Sequence, residues 1–316
     1  MAFQKSNGTS VPHATDYADL LNILVAFAVG TGDWVVVVDN LTAANYIILK
    51  GLDYSGDKAI YVAIKRYSAP LSDIYGWIFE GYTGYTGAGF YSEPGAIIGE
   101  LPAMPLWNDE IPYWLSVNPR RIVLVAKVAG VYLSCYLGLM LPYGSTGQWQ
   151  YPLVIGGSNV TDGVGTSVPR YSNIGSRMCV PYIPNGSDGT SGLLVRSSSG
   201  QWVRIWNGTK SIIPPTATFG AITAHGVSPY CDGLVEGSGF GWSQLRPNVD
   251  GKYDLRTLRI MRGDTPDAYG YLDGVKFVPG YLLSAEDTIT VGSDEYTVFQ
   301  DTFRTALDNF FALKES

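Results

Sequence analysis

The chain has 316 residues, long enough for one large domain or two ordinary ones, each with its own core. It is 46% hydrophobic and 13% aromatic but only 16% charged, below the roughly one quarter typical of soluble domains. Its net charge of −7 argues against the clustered basic surface that a nucleic-acid coat needs.

So few charges fit either a subunit buried among other subunits or a β-protein surfaced with Ser, Thr, Asn and Tyr. Residues 1–14 have the look of an extended, weakly ordered arm. They are polar and carry no secretory leader pattern, so folding in a reducing compartment is expected. Thr15 or Asp16 can cap a helix running to about Val29. Tyr17, Leu20, Leu21, Leu24 and Phe27/Ala28 fall on one face of it, and Gly30-Thr31-Gly32 stops it. Four strands follow: Trp34 to Val38, Tyr46 to Leu49, Ala59 to Tyr67 and Tyr75 to Tyr82. Residues 83–114 are dense in Gly, Pro, Tyr and Trp and show little periodicity, as in a functional loop or contact arm.

Two apolar runs, Arg121 to Val128 and Val131 to Leu141, are joined by Ala129-Gly130 and predict a buried β-hairpin. From Gly156 to about Pro181 the chain is polar and rich in Gly and Ser. Leu193 to Ser197 and Gln201 to Trp206 form a hairpin pattern around a Ser-Gly turn. Further strands are expected at Thr257 to Met261, Val275 to Val278, Thr288 to Val291 and Tyr296 to Gln300. The tail reads as a short helix or an extended docking segment. The expected fold is α+β and β-rich: antiparallel sheets, an N-terminal helix packed on one sheet, and long irregular loops. A division into 1–157 and 158–316 is expected, the alternative being one composite domain.

Several segments carry a resemblance: ATDYADLLNILVAF (14–27), MPLWN and IPYW around residues 104–114, NPRRIVLVAKVAGVYLSCYLGLMLPYG (118–144), YPLVIGG (151–157), and LDGVKFVPG with TITVGSDEYTVFQDTFRT near the end. Together and in this order they resemble a family of virion structural proteins of tailed bacteriophages, with Ile122 to Gly157 the most specific part. The resemblance implies a subunit of tail, baseplate or neck, made in the host bacterial cytoplasm. Its implied partners are copies of itself and other virion proteins, and it brings no catalytic residues.

Other constellations are thin. His13 and His225 are the only histidines, and a catalytic set would have to use one of them, for instance His225 with Cys231 and Asp232. Asp109-Glu110 is an acidic pair between aromatics, but adjacent carboxylates usually point apart. Cys135, Cys179 and Cys231 are too few and too widely spaced for a disulfide framework or zinc site. Cys135 reads as a small buried hydrophobe, and a Cys179–Cys231 pair stays open. Gly237 to Gly241 lacks the context of a nucleotide loop, and Asn185 to Gly189 falls short of a calcium loop.

No cofactor, metal, nucleic acid or membrane is therefore expected. The candidate subunit-interface residues are Trp107, Trp114, Tyr82, Tyr85, Phe90 and Tyr91, since Trp and Tyr dominate protein contacts. Two alternatives use other chemistry: a host-glycan module with its Tyr and Trp rings as platforms, and a virion-associated hydrolase.

Overall fold

A computed structural model describes residues 1–52, 56, 58–144, 148–161, 168, 192–205, 226–228, 255–261, 268–278, 280, 282–300 and 310–315. In chain order the elements are β1 (Ala2–Lys5), α1 (Tyr17–Gly30), β2 (Val35–Asn40), β3 (Tyr46–Leu52), β4 (Ala59–Ala69), β5 (Ile74–Tyr82), β6 (Pro102–Leu106) and β7 (Tyr113–Asn118). Next come β8 (Arg121–Val128), β9 (Val131–Leu139), β10 (Leu141–Pro142), β11 (Leu153–Gly156), β12 (Asn159–Val160), β13 (Leu193–Arg196) and β14 (Trp202–Arg204). The last are β15 (Gly226–Ser228), β16 (Arg256–Met261), β17 (Ala268–Phe277), β18 (Thr288–Val291), β19 (Asp294–Gln300) and β20 (Phe310–Lys314).

The strands form three antiparallel sheets. The N-terminal sheet runs β12-β6-β5-β4-β3-β2, and the central sheet β1-β7-β8-β9-β11-β13-β14. The C-terminal sheet runs β15-β16-β17-β20-β19-β18, with β10 also paired to β17. The protein is β-rich, with one α-helix among the described residues, so the α+β label rests on that helix alone.

The central sheet is apolar on both faces, and this sets the layering. Alternate side chains of a strand point to opposite faces. Leu115, Ile122, Leu124, Leu133, Cys135 and Ile155 join one core with the N-terminal sheet. Their neighbours Trp114, Val123, Val125, Tyr136 and Val154 join a second core with Phe277, Phe299 and Phe311 of the C-terminal sheet. The hairpin at its centre is as expected. Ala129 and Gly130 adopt φ of 49° and 77°, the pair of positive values that a two-residue turn between twisted strands demands.

A buried charge lies between the central and C-terminal layers. The Arg121 side chain is fully buried; its Nε meets Asp273 Oδ2 at 3.0 Å and its Nη1 donates to the Ser116 carbonyl and Oγ, both at 3.2 Å. Asn118 Nδ2 donates to the same Asp273 oxygen at 2.7 Å. Gly274, at φ 71°, passes so close to the guanidinium that a Cβ there would collide with it.

The helix begins as expected. Asp16 accepts from the Ala18 and Asp19 N–H groups at 2.7 and 2.8 Å, and Asp19 reaches back to the Thr15 N–H at 2.9 Å. Leu20, Leu21, Leu24 and Ala28 are buried in the core shared by the N-terminal and central sheets. Trp77 Nε1, on β5, donates to the Tyr17 carbonyl at 3.0 Å.

Three expectations change, and one open alternative is decided. The N-terminal arm is a strand: β1 pairs with β7 from Ala2↔Val117 to Lys5↔Trp114. Of the two readings of the tail the extended one holds at Phe310–Lys314, which forms β20 between β17 and β19. The 83–114 stretch contains β6, whose prolines are tolerated because β6 lies next to the end of its sheet, with only the two-residue β12 beyond it. Lastly, strand pairing crosses the division after residue 157 in all three sheets, because β11 pairs with β13, β12 with β6 and β10 with β17.

Ala129 is exposed and holds a left-handed conformation that Asn adopts more readily. Ala129→Asn should raise stability by about 0.5–1 kcal/mol, read as a higher urea midpoint with an unchanged slope.

Candidate functional site

Residues 83–101 fold over the outer face of the N-terminal sheet, the face turned away from the central sheet. Cross-strand partners share a face, so Ile78, Glu80 and Tyr82 of β5 lie beside Lys65, Ala63 and Tyr61 of β4, and these beside Tyr46, Ile48 and Lys50 of β3. Side-chain and backbone ties close the loop, some to this row and some to β14 of the central sheet. Tyr82 donates its hydroxyl to the Phe90 carbonyl. Thr83 N–H bonds the Pro94 carbonyl at 2.9 Å. Trp202 Nε1, from β14, donates to the Gly95 carbonyl at 2.6 Å, and Arg204 Nη1 meets Glu100 Oε2 at 2.7 Å.

Two carboxylates organise the loop. Glu93 accepts from the Thr86 N–H at 2.6 Å, the Thr86 hydroxyl at 3.0 Å and the Gly89 N–H at 3.1 Å. Burial works to raise its carboxyl, but these hydrogen bonds outweigh it and hold Glu93 below the usual carboxylate range. Glu80 Oε1 accepts from Ile97 N–H at 2.8 Å and Gly81 N–H at 3.0 Å. Burial pushes the Glu80 carboxyl up to about 8, against the pull of those two N–H groups.

On top of these ties stands an aromatic cluster. Tyr46 meets Phe90 edge-on at 5.7 Å between centroids, Phe90 meets Tyr91 at 4.9 Å, and Tyr61 lies 6.3 Å from Tyr85. Lys65 Nζ sits 4.7 Å over the Tyr91 ring and donates to its hydroxyl at 3.1 Å. Tyr85 and Tyr91 are 39% and 47% exposed, and Ile98 on the same loop is 97% exposed. The cluster offers ring faces, hydroxyls and one cation to a ligand or partner. Glu80 and Glu93 are buried, and each accepts hydrogen bonds from loop backbone.

The structure thus brings Tyr82, Tyr85, Phe90 and Tyr91 together, and only Tyr85 and Tyr91 have surface to offer. Tyr82 of β5 and Phe90 of the loop itself are both buried in the chain's own core. Trp114 is no surface anchor either: it faces the C-terminal layer, 5.0 Å from Phe299 and 6.0 Å from Tyr132. Trp107 is half-buried against the N-terminal core, and its carbonyl accepts the Tyr17 N–H.

Sequence reasoning missed Glu80 and Glu93. The signal for Glu80 was there: a lone carboxylate in the aromatic strand Trp77-Ile78-Phe79-Glu80-Gly81-Tyr82.

The remaining candidates fall elsewhere. His13 Nδ1 lies 2.8 Å from Ser6 Oγ, but that oxygen also accepts the Tyr113 N–H at 2.8 Å, so the pair fastens the end of β1 to β7. Asp109 and Glu110 sit exposed at a turn where Asp109 accepts the Glu110 N–H. Cys135 is buried and its thiol is pushed up to about 12 by burial, which leaves it unreactive. His225, Cys179, Cys231, Asp232, Asn185 to Gly189 and Gly237 to Gly241 lie outside the described residues. Among the described residues no group of three or more His, Cys, Asp or Glu is placed to hold a metal ion, and no helix is long and apolar enough to cross a membrane.

The chain matches no protein-family model and no curated protein.

Trp114→Ala should cost about 3–5 kcal/mol of folding stability, because it empties a ring-sized site between two layers. Tyr91→Ala should cost less than about 1 kcal/mol. Thermal melts of the purified chain separate the two.

Proposed function

We propose that this chain is a non-enzymatic structural subunit of a tailed-phage virion, in the tail, baseplate or neck, working through repeated contacts with copies of itself and with other virion proteins. The observation that carries the reading is the exposure of Tyr85, Tyr91 and Ile98 on one loop that is tied down to its sheet and to β14. Interfaces are enriched in such rings and depleted in charge at their centre. The charge-poor composition and the segment resemblance support the same reading. In this reading the fold is the β-rich kind of α+β, with α1 as a layer on the N-terminal sheet. Closed symmetry would repeat the loop contact around an axis.

A second reading uses the same rings. Tyrosine faces and hydroxyls beside a lysine are groups that also stack on and bond to sugars, so a host-glycan platform would sit here as well.

The double variant Tyr91→Ala, Ile98→Asp tests both. For an interface, incorporation into particles should weaken by about 2 kcal/mol per lost anchor, roughly 30-fold each, with the melting temperature of the free chain little changed. Salt should not release the wild-type chain from particles, since apolar contacts escape screening. Normal incorporation with lost adsorption to host cells would favour the glycan platform. Normal incorporation and normal adsorption would remove this surface from either role.

A further inference from the structure

Glu80 is an acid placed where ionisation is costly. It is fully buried on β5 beneath the loop. One carboxyl oxygen holds the loop through Ile97, while Oε2 is shut off from solvent with no hydrogen-bond partner among the described residues. The ionisable groups around it offer no compensation. On β4 and β3 they are Tyr61, Lys65, Tyr46 and Lys50. Lys65 is bonded to the Tyr91 hydroxyl instead. On its own strand the neighbour is Tyr82, whose hydroxyl is already donated to Phe90. On the loop they are Tyr85, Tyr91, Glu93 and Glu100. Glu93 is bonded to the Thr86 and Gly89 N–H groups, and Glu100 is paired with Arg204 of β14. β6 contributes no ionisable side chain.

We propose that the 83–101 loop is a proton-tightened lid: closing it over the sheet keeps a proton on Glu80, and opening it lets water in and releases that proton. The balance is one proton per opening, taken up from or given to solvent, with no other reactant. The proposal rests on the contact-surface reading for its biological use, because Tyr85, Tyr91 and Ile98 all ride on this loop.

The sign follows from linkage. Glu80 is raised from an ordinary 4.5 to about 8 when the loop is closed, and returns towards 4.5 when water reaches it. Between those values the open state binds fewer protons, so the open fraction grows about tenfold per pH unit as pH rises. Below the window both states hold the proton, and above it both have lost it, so the open fraction is flat on either side. The full range is on the order of a thousandfold. Glu93 acts in the opposite sense and in a lower window. Its held-down carboxyl supports the loop above the ordinary carboxylate range and fails only as pH falls below it.

Amide hydrogen exchange on the purified full chain from pH 5 to 9, corrected for intrinsic base catalysis, reads the lid directly. The Ile97, Thr86 and Gly89 amides should lose protection about tenfold per pH unit up to about pH 8 and then level off, while Leu124 in the central sheet should not change. Glu80→Gln keeps an acceptor for Ile97 but cannot ionise, and should abolish the slope. A flat wild-type profile, or an equal slope in Glu80→Gln, would overturn the proposal. Should that variant fail to fold, carbon-13 titration of the Glu80 carboxyl in the wild type decides: a midpoint in the ordinary carboxylate range also overturns it. Both readouts use the isolated chain, so they can fail while virion incorporation succeeds, and the reverse.

Discussion

Burial of the β8–β9 hairpin on both faces is the constraint from which the rest of the architecture follows. A sheet with one apolar face needs one cover, and a sheet apolar on both faces needs two. Ile122 to Ala126 are all fully buried, so the chain must supply a layer on each side. It does so by sequence position: strands before the hairpin build most of one layer, and strands after residue 226 build most of the other. Few polar groups are admitted to the central sheet, and not all are satisfied: the buried Ser134 hydroxyl has no hydrogen-bond partner among the described residues. Arg121 is held by Asp273 and Ser116, and Ser158 Oγ bridges to the backbone of Ser134 through both its N–H and its carbonyl. With the Arg121 end fully buried and Asp273 half-buried, such a pair specifies an arrangement more than it stabilises one, since desolvation of the guanidinium offsets much of the attraction.

What could be read from the sequence was what is local. The capped helix, the central hairpin, and the 193–204 and 288–300 hairpins all have their partners within a turn of one another. What could not be read depends on partners far along the chain. Ala2 finds Val117, and Phe311 finds both Phe277 and Phe299, so short terminal segments with no periodicity of their own become strands. β6 hid behind Pro102 and Pro105, residues that normally argue against a strand. The aromatic site was half legible for the same reason. Composition marks Tyr82, Phe90, Tyr91 and Trp114 equally, and only the covering loop and the third layer decide which rings reach solvent.

The surface that emerges is built in a particular order of dependence. The N-terminal sheet fixes Glu80 and Tyr82. These two fix the loop backbone at Ile97 and Phe90, Glu93 shapes the loop internally, and the exposed rings come last. Aromatic side chains lose little conformational freedom when they bind, so rings on a pre-shaped loop suit repeated docking. The central sheet contributes from the side, through Trp202 bonded to Gly95 and Arg204 paired with Glu100.

A strand apolar on both faces loses the usual means of keeping its place. In a half-buried strand, slipping by one residue turns the polar face inward, and the cost fixes the alignment. In β8 and β9 a one-residue slip would exchange one set of aliphatic side chains for another. Alignment here falls to the exceptions. Gly138 lies opposite Arg121 where a Cβ would strike the Arg120 carbonyl, and Arg121 must meet Asp273. Ala129-Gly130 sets the start of the count. These few residues act as vernier marks on an otherwise unmarked scale, and variation among aliphatic residues should be far better tolerated along the hairpin than a change at Gly130, Gly138 or Arg121.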